Sequence, residues 1–270
     1  MFGRYRVDAV VGEGAMGVVY RARLLHGSPS DPVALKVVRP ELGADGEFRE
    51  RFRREARAAR TVSHPHVVPV LDAGEVDGRA FVAMPFVDGE SLDAVVRRDG
   101  PLGPARVARL AEEIGGALDA LHAAGLIHRD VKPANVLVMR DGGSSALTDF
   151  GLAKGAVGYE TVTAAGAVVG TLDYVAPERI RGERATPSSD VYALACTLFE
   201  CLTGAPPFPG DRMTIMMGHL QEEAPNPSWQ RAGLDERFGE AVIAALAKDP
   251  AARPGSGAEY AALLARAVGA

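Results

Sequence analysis

The hydrophobic period changes along this chain, and that change limits what the chain can fold into more than any other feature. Segments 5–11 (YRVDAVV) and 17–24 (GVVYRARL) flank the glycines at 12, 14 and 17, and VALKVV at 33–38 is a β-branched run. One helical segment follows. In EFRERFRREARAAR, Phe48, Phe52, Glu55, Ala56 and Ala59 fall on one face. Further strands are predicted at 66–72 and 79–84, and VDGESL at 87–92 reads as a linker. Beyond it the pattern is helical. Val107, Leu110, Ala111, Ile114, Leu118 and Leu121 recur at helical spacing, and Gly125 ends that helix. DVYALACTLFECL at 190–202 is apolar nearly all round, which predicts a buried central helix, and 234–248 and 256–268 predict further helices. A strand-rich first third before a helix-rich remainder, without internal repeats, argues for two lobes of α+β class rather than βαβ winding.

Composition narrows the function classes. The 270 residues are 47% hydrophobic and 24% charged, enough to bury a sizeable core without disulfides or a structural metal. Basic residues number 30 against 35 acidic, a net charge of −5, so no overall surplus favours nucleic acid or an anionic membrane. Cys196 and Cys201 form no CxxC pair, which excludes zinc ribbons and dithiol redox motifs and suits a reducing cytosol. The start, MFGRYRVDAV, lacks the apolar stretch of a signal peptide, and no run of apolar residues is long enough to span a bilayer. The expected location is cytoplasmic. Lysine is scarce: Lys36, Lys132, Lys154 and Lys248 are all there are.

Gly12-Glu13-Gly14-Ala15-Met16-Gly17 is a GxGxxG string. A dinucleotide-binding reading requires a helix to start at the glycines, but Val18, Val19 and Tyr20 continue as strand chemistry. A strand–loop–strand hairpin over 11–19 would cover phosphates with backbone N–H groups; an ordinary glycine-rich turn stands as the alternative. Lys36 lies in an otherwise apolar strand, where an ammonium must be paired or reach solvent. A lysine snorkelling from the sheet edge satisfies that too. Glu55 weighs against snorkelling, because it points with the apolar face of its helix and a carboxylate there wants a cation. The predicted pair is Lys36 with Glu55, holding the ammonium ready for phosphate oxygens.

His128-Arg129-Asp130-Val131-Lys132-Pro133-Ala134-Asn135 is the strongest signal, lying between a helix and the strand-like VLVM. Asp130 can accept a hydroxyl proton, Lys132 can neutralise a transferring phosphoryl group, and Asn135 can offer an amide oxygen to a metal. Asp149-Phe150-Gly151 adds a second hard oxygen ligand suited to Mg²⁺. Either string alone could be a turn. The two in this order, behind a glycine loop and a strand lysine, are specific.

With these motifs the chain resembles a protein kinase domain over nearly its full length. Further matches are Ala176-Pro177-Glu178, Asp190 at the start of the buried helix, and Arg253 in DPAARP. The lysine in Lys132-Pro133-Ala134-Asn135 is the serine/threonine form of the loop. GEGAMGVVYRA and RFRREARAA most resemble bacterial eukaryotic-like serine/threonine kinases. The resemblance implies a bilobal protein kinase fold. Residues 1–87 would form a small antiparallel N-lobe sheet with one main helix, and 88–270 a larger, mainly helical C-lobe. ATP would lie between the lobes under Val11, Gly12, Glu13, Gly14, Ala15, Met16, Gly17, Val18 and Val19. Val19, Ala34 and Leu137 would sandwich the adenine beside a hinge of Met84, Pro85 and Val87. Lys36, held by Glu55, would contact the α/β-phosphates; Asn135 and Asp149 would bind Mg²⁺ or Mn²⁺. Asp130 would orient and deprotonate the substrate hydroxyl, with Lys132 on the γ-phosphate. Glu178 and Arg253 would form a buried brace.

The implied partners are protein substrates and the chain itself, by trans-autophosphorylation within a homodimer. Neither nucleic acid nor a membrane is expected against this chain, which could also be the cytoplasmic part of a longer membrane-anchored kinase. Arg129, a cation beside Asp130, implies a phosphothreonine partner in the segment 149–178: Thr163 first, then Thr161, with Thr171 assigned to substrate docking. Two departures stand out. Pro85 replaces the usual Glu of the hinge but keeps its carbonyl, and Ala165 stands where many relatives carry a second threonine. A pseudokinase scaffold is disfavoured because Lys36, Glu55, Asp130, Asn135 and Asp149 are all present. A small-molecule kinase is disfavoured by the long segment ending in APE. The arginines of 49–60 fit a solvated face on the Glu55 helix better than a membrane-surface helix.

Overall fold

The computed structural model describes residues 1–14, 16–25, 32–43, 46–140, 143–149 and 172–268. Five strands, β1 (Tyr5–Gly14), β2 (Gly17–Leu24), β3 (Val33–Val38), β4 (Asp72–Val76) and β5 (Arg79–Pro85), form one antiparallel sheet in the order β1-β2-β3-β5-β4. Side chains alternate across it. Leu35, Val37, Phe81 and Ala83 pack with Tyr5 and Ala22 on one face. Val38, Val82 and Met84 join Phe48 and Phe52 of the main helix on the other. The same alternation puts Lys36 on the helix side.

A short helix α1 (Pro40–Gly43) leads into that main helix, α2 (Gly46–Ala59). Its buried residues are Phe48, Phe52, Glu55, Ala56 and Ala59, the face that the spacing predicts. Close approach of β2 to β3 depends on Gly17. A Cβ there would lie 2.2 Å from the Val37 carbonyl oxygen, whereas one on Gly14 would meet nothing within 4 Å and one on Gly12 only Val19 Cβ, at 4.0 Å.

Two expectations need correction. The strand placed at 66–72 begins only at Asp72. Val67, Val68 and Val70, which give that segment its strand-like look, are buried in the main core, and the backbone shares a single bridge, Val67 with Leu147. The linker at 87–92 contains a strand, β6 (Gly89–Ser91), which with β7 (Val136–Met139) and β8 (Ser145–Leu147) makes a second sheet in the order β6-β7-β8. The Ser91 hydroxyl then accepts from the Ala94 N–H at 3.2 Å and caps α3 (Leu92–Asp99).

The remaining α-helices of the described residues are α4 (Pro104–Ala123), α5 (Pro177–Ile180), α6 (Pro187–Thr203), α7 (Arg212–Gln221), α8 (Glu236–Ile243) and α9 (Gly257–Val268). Residues 189–199 of α6 are all buried, as its composition requires. The predicted helix at 234–248 is regular only over α8 and ends in a 3₁₀ turn. Helices α4 and α9 touch backbone to backbone, since a Cβ on Gly115 or Gly257 would lie within 3 Å of the other's main chain. Among the described residues no helix is long and apolar enough to cross a membrane.

Candidate active site

The loop between α4 and β7 is held by one carboxylate. Asp190, in the first turn of α6 and 1% exposed, accepts from the His128 N–H and His122 Nε2 on Oδ2 and from the Arg129 N–H on Oδ1, all at 2.8 Å. Three donors on a buried carboxylate are strong, charge-assisted bonds. They hold Arg129 at φ 65°, left-handed backbone that a non-glycine residue keeps only when its surroundings impose it. Fully buried His128 adds a second tie. Its Nδ1 accepts from the Asp130 N–H at 3.2 Å, which fixes the proton on Nε2, 3.1 Å from the Thr148 carbonyl oxygen. One imidazole thus links Asp130 to the segment that presents Asp149.

Asp130, Lys132 and Asn135 come together as their spacing suggests. Asp130 Oδ2 lies 2.9 Å from Asn135 Nδ2 and 3.2 Å from Lys132 Nζ. Asn135 Nδ2 also donates to the Asp130 carbonyl at 2.8 Å, and among the described residues nothing donates to the amide oxygen. Asp149, also left-handed at φ 60°, offers one oxygen to Lys36 Nζ at 3.0 Å, and its other oxygen has no partner among the described residues. An amide oxygen and a carboxylate oxygen are a donor set that fits Mg²⁺, which commonly takes one or two protein oxygens and completes its shell with phosphates and water.

The predicted pairing of Lys36 with Glu55 is not what the structure holds. Lys36 pairs with Asp149, and Glu55 accepts from Arg129 Nη1 at 3.0 Å. The nearly buried carboxylate of α2 does take a cation, as its place on the apolar face demands. Helical spacing identifies the face but not which of two cations reaches it. With Asp149 beside Lys36 and a long guanidinium beside Glu55, each acid takes one base.

The proposed nucleotide residues lie around the β2–β3–β5 surface and β7. Val19 is opposite Lys36, Ala34 is opposite Met84, and both, like Leu137, are half-buried. Met84 is buried, with Thr148 Oγ1 3.9 Å from its sulfur. Pro85 ends β5. The Phe86 N–H donates to the Pro32 carbonyl at 2.9 Å, while the Val87 N–H has no acceptor among the described residues. Val11, Gly12, Glu13, Gly14, Met16, Gly17 and Val18 build the hairpin. Ala15, Thr161, Thr163 and Thr171, with Phe150 and Gly151, lie outside the described residues.

Below the loop, Arg253 and Glu178 form a bidentate pair at 2.9 and 2.8 Å, their side chains 0% and 3% exposed. Burial pushes the Glu178 carboxyl up, but hydrogen bonds from Arg253 and Ser189 outweigh it and leave the group below its ordinary value. Sequence reasoning counts Asp190 as a match to the kinase pattern at the start of a helix, without its anchoring role, and misses His122 altogether. The available signal was a carboxylate in the first turn of an otherwise apolar helix, which must be satisfied from outside that helix.

A hairpin over a paired lysine, facing an aspartate and two hard oxygen donors, is the equipment of a phosphoryl-transfer enzyme. The chain belongs to the protein kinase family: residues 5–262 match the protein kinase domain. The serine/threonine-protein kinase PknE of Mycobacterium tuberculosis is 46% identical over 249 residues, which cover 92% of this chain and 43% of that protein. This chain therefore spans less than half the length of that relative. The crystal structure of the M. tuberculosis PknI kinase domain is similar at a TM-score of 0.81 and 35% identity, covering 100% of this chain and 98% of that one. Rad53 in complex with AMP-PNP matches at a TM-score of 0.79 and 25% identity, covering 96% and 64%.

Proposed function

We propose that this chain is the catalytic domain of a bacterial serine/threonine protein kinase, phosphorylating Ser/Thr hydroxyls of proteins, itself included, at the expense of ATP. The observation that carries the reading is the meeting of Asp130, Lys132 and Asn135 in one loop, at 3.2 and 2.9 Å from a shared carboxylate oxygen. Asp130 accepts the proton of the substrate hydroxyl, and Lys132 neutralises charge on the γ-phosphoryl group. Asn135 and Asp149 would hold Mg²⁺ or Mn²⁺, which would supply positive charge to offset that of the phosphates. Lys36 takes the α/β-phosphates. The adenine lies against Val19, Ala34 and Leu137, reading the Pro85 carbonyl and the Val87 N–H. Residues 1–87 and 88–270 act as the two lobes that close on it, in the cytoplasm.

Regulation follows from Arg129, whose guanidinium holds Glu55. A phosphothreonine at Thr163, or at Thr161, competes with Glu55 for that guanidinium. Phosphatase-treated protein and a Thr161→Ala, Thr163→Ala double variant should both be slower than phosphorylated wild type on a generic substrate. Equal rates would place the switch elsewhere.

The reading is tested by incubating wild type, Asp130→Asn and Lys36→Met with Mg-ATP and following phosphate incorporation on Ser and Thr. Losing the base should slow transfer about 10²- to 10⁴-fold while the urea unfolding transition stays cooperative. Full activity in Asp130→Asn protein would overturn the mechanism.

A further inference from the structure

Arg39, directly after β3, touches both sides of the glycine-rich hairpin. Its own N–H donates to the Met16 carbonyl at 3.0 Å, beside the start of β2. Its guanidinium reaches the end of β1, where Nε and Nη2 lie 3.3 and 3.2 Å from the Gly14 carbonyl oxygen, and Nη2 also lies 3.2 Å from Glu13 Oε1. The planar fork suits this geometry, presenting N–H donors from two nitrogens to two neighbouring acceptors at once. The rung between Gly14 and Gly17 is the last of the β1–β2 ladder, so Arg39 holds the hairpin where strand pairing gives out.

Charge gives the contact a second consequence. Glu13 puts a carboxylate into a loop that must lie against polyphosphate, where like charges repel. Arg39 neutralises it. Strand β3, which ends just before Arg39, also carries Lys36, so the phosphate lysine and the tether of the loop above it lie three residues apart.

We infer that Arg39 is a positioning residue for the nucleotide. It sets the height of the hairpin over the phosphates by fastening Gly14 and Glu13 to the end of β3, without itself contacting ATP. The inference rests on the reading that this hairpin covers the phosphates of ATP.

The test compares Arg39→Ala, Arg39→Lys and Arg39→Ala/Glu13→Gln with wild type. Steady-state kinetics gives KM for ATP and kcat separately, and amide hydrogen exchange of the hairpin is followed without nucleotide. Losing the guanidinium contacts should raise KM for ATP about five- to tenfold, leave kcat within about twofold, and speed exchange at Val18 and Val19. Arg39→Lys should fall between, and it carries the test if the alanine variant does not fold. Adding Glu13→Gln to Arg39→Ala should recover part of the KM, which a purely structural role for Arg39 would not produce. A KM within twofold of wild type, or a raised KM with unchanged hairpin exchange, overturns the inference. If wild type binds no ATP, the nucleotide reading fails instead, and exchange in the nucleotide-free protein still decides whether Arg39 holds the hairpin.

Discussion

Glu55 and Arg129 stand 74 residues apart in sequence and form an ion pair at 3.0 Å that ties helix α2 to the loop between α4 and β7. The side chains are 10% and 26% exposed, so the pair is poorly screened. Removing Arg129 leaves a nearly buried carboxylate without its cation. Arg129→Ala should destabilise the fold by about 2–3 kcal/mol, and a double-mutant cycle with Glu55→Ala should return a coupling of about 1–2 kcal/mol. Urea unfolding measures both, and additive single variants would show that the pair does not hold α2.

Asp190 is predicted to be the least replaceable polar residue outside the proposed catalytic residues. In Asp190→Asn, an NH₂ group takes the place of one acceptor oxygen and faces donors at a buried site. The expected loss is about 2–4 kcal/mol, together with slower phosphoryl transfer at temperatures where the variant is still folded. A wild-type unfolding midpoint would contradict the triple anchor.

The two cysteines should be inert. Cys196 and Cys201 are fully buried on α6, and burial pushes both thiols well up, away from the reactive thiolate. Labelling of native protein by a thiol reagent at pH 8 should run at least about a hundredfold slower than in urea. Rapid native labelling would count against this packing.

Acid sensitivity should trace in part to His219. It is fully buried on α7, where it shares a hydrogen bond of 2.8 Å with the Tyr192 hydroxyl, meets the Phe208 ring edge-on, and lies near the Lys248 ammonium. Burial first, then the charge of Lys248, pushes its pKa down from 6.5 to about 4. Between those values the unfolded chain binds a proton that the folded chain refuses, so stability falls as pH drops through the window. From pH 7 to pH 5 wild type should lose about 2 kcal/mol more than His219→Gln. Parallel pH profiles in urea unfolding would reject the assignment.

The elements legible in the sequence are those whose burial follows a local period. β2, β3, α2, α4, α6 and α9 fall close to where alternation or helical spacing puts them. β6 hides because Asp88, Gly89 and Glu90 look like a turn, and only pairing with β7, far along the chain, makes them a strand. Val67, Val68 and Val70 mislead for the opposite reason, since their burial comes from packing rather than from a ladder. The same divide runs through the site. Asp130, Lys132 and Asn135 were readable because one short loop carries all three. The partners of Lys36 and Glu55 were not, because a period assigns a face and long-range packing assigns the neighbour.

The three glycines of the hairpin answer to different masters. The first two sit where a methyl group finds room, so packing within the fold does not demand them, while the third is fixed by the main chain of β3. In a lineage drifting away from catalysis, Gly12 and Gly14 are free to diversify as soon as nucleotide binding ceases to matter. Gly17 is not, because its loss would pry the hairpin off the sheet whether or not anything is bound. A descendant that had become a pure scaffold would therefore still carry that last glycine, as the fossil of a loop whose purpose had gone.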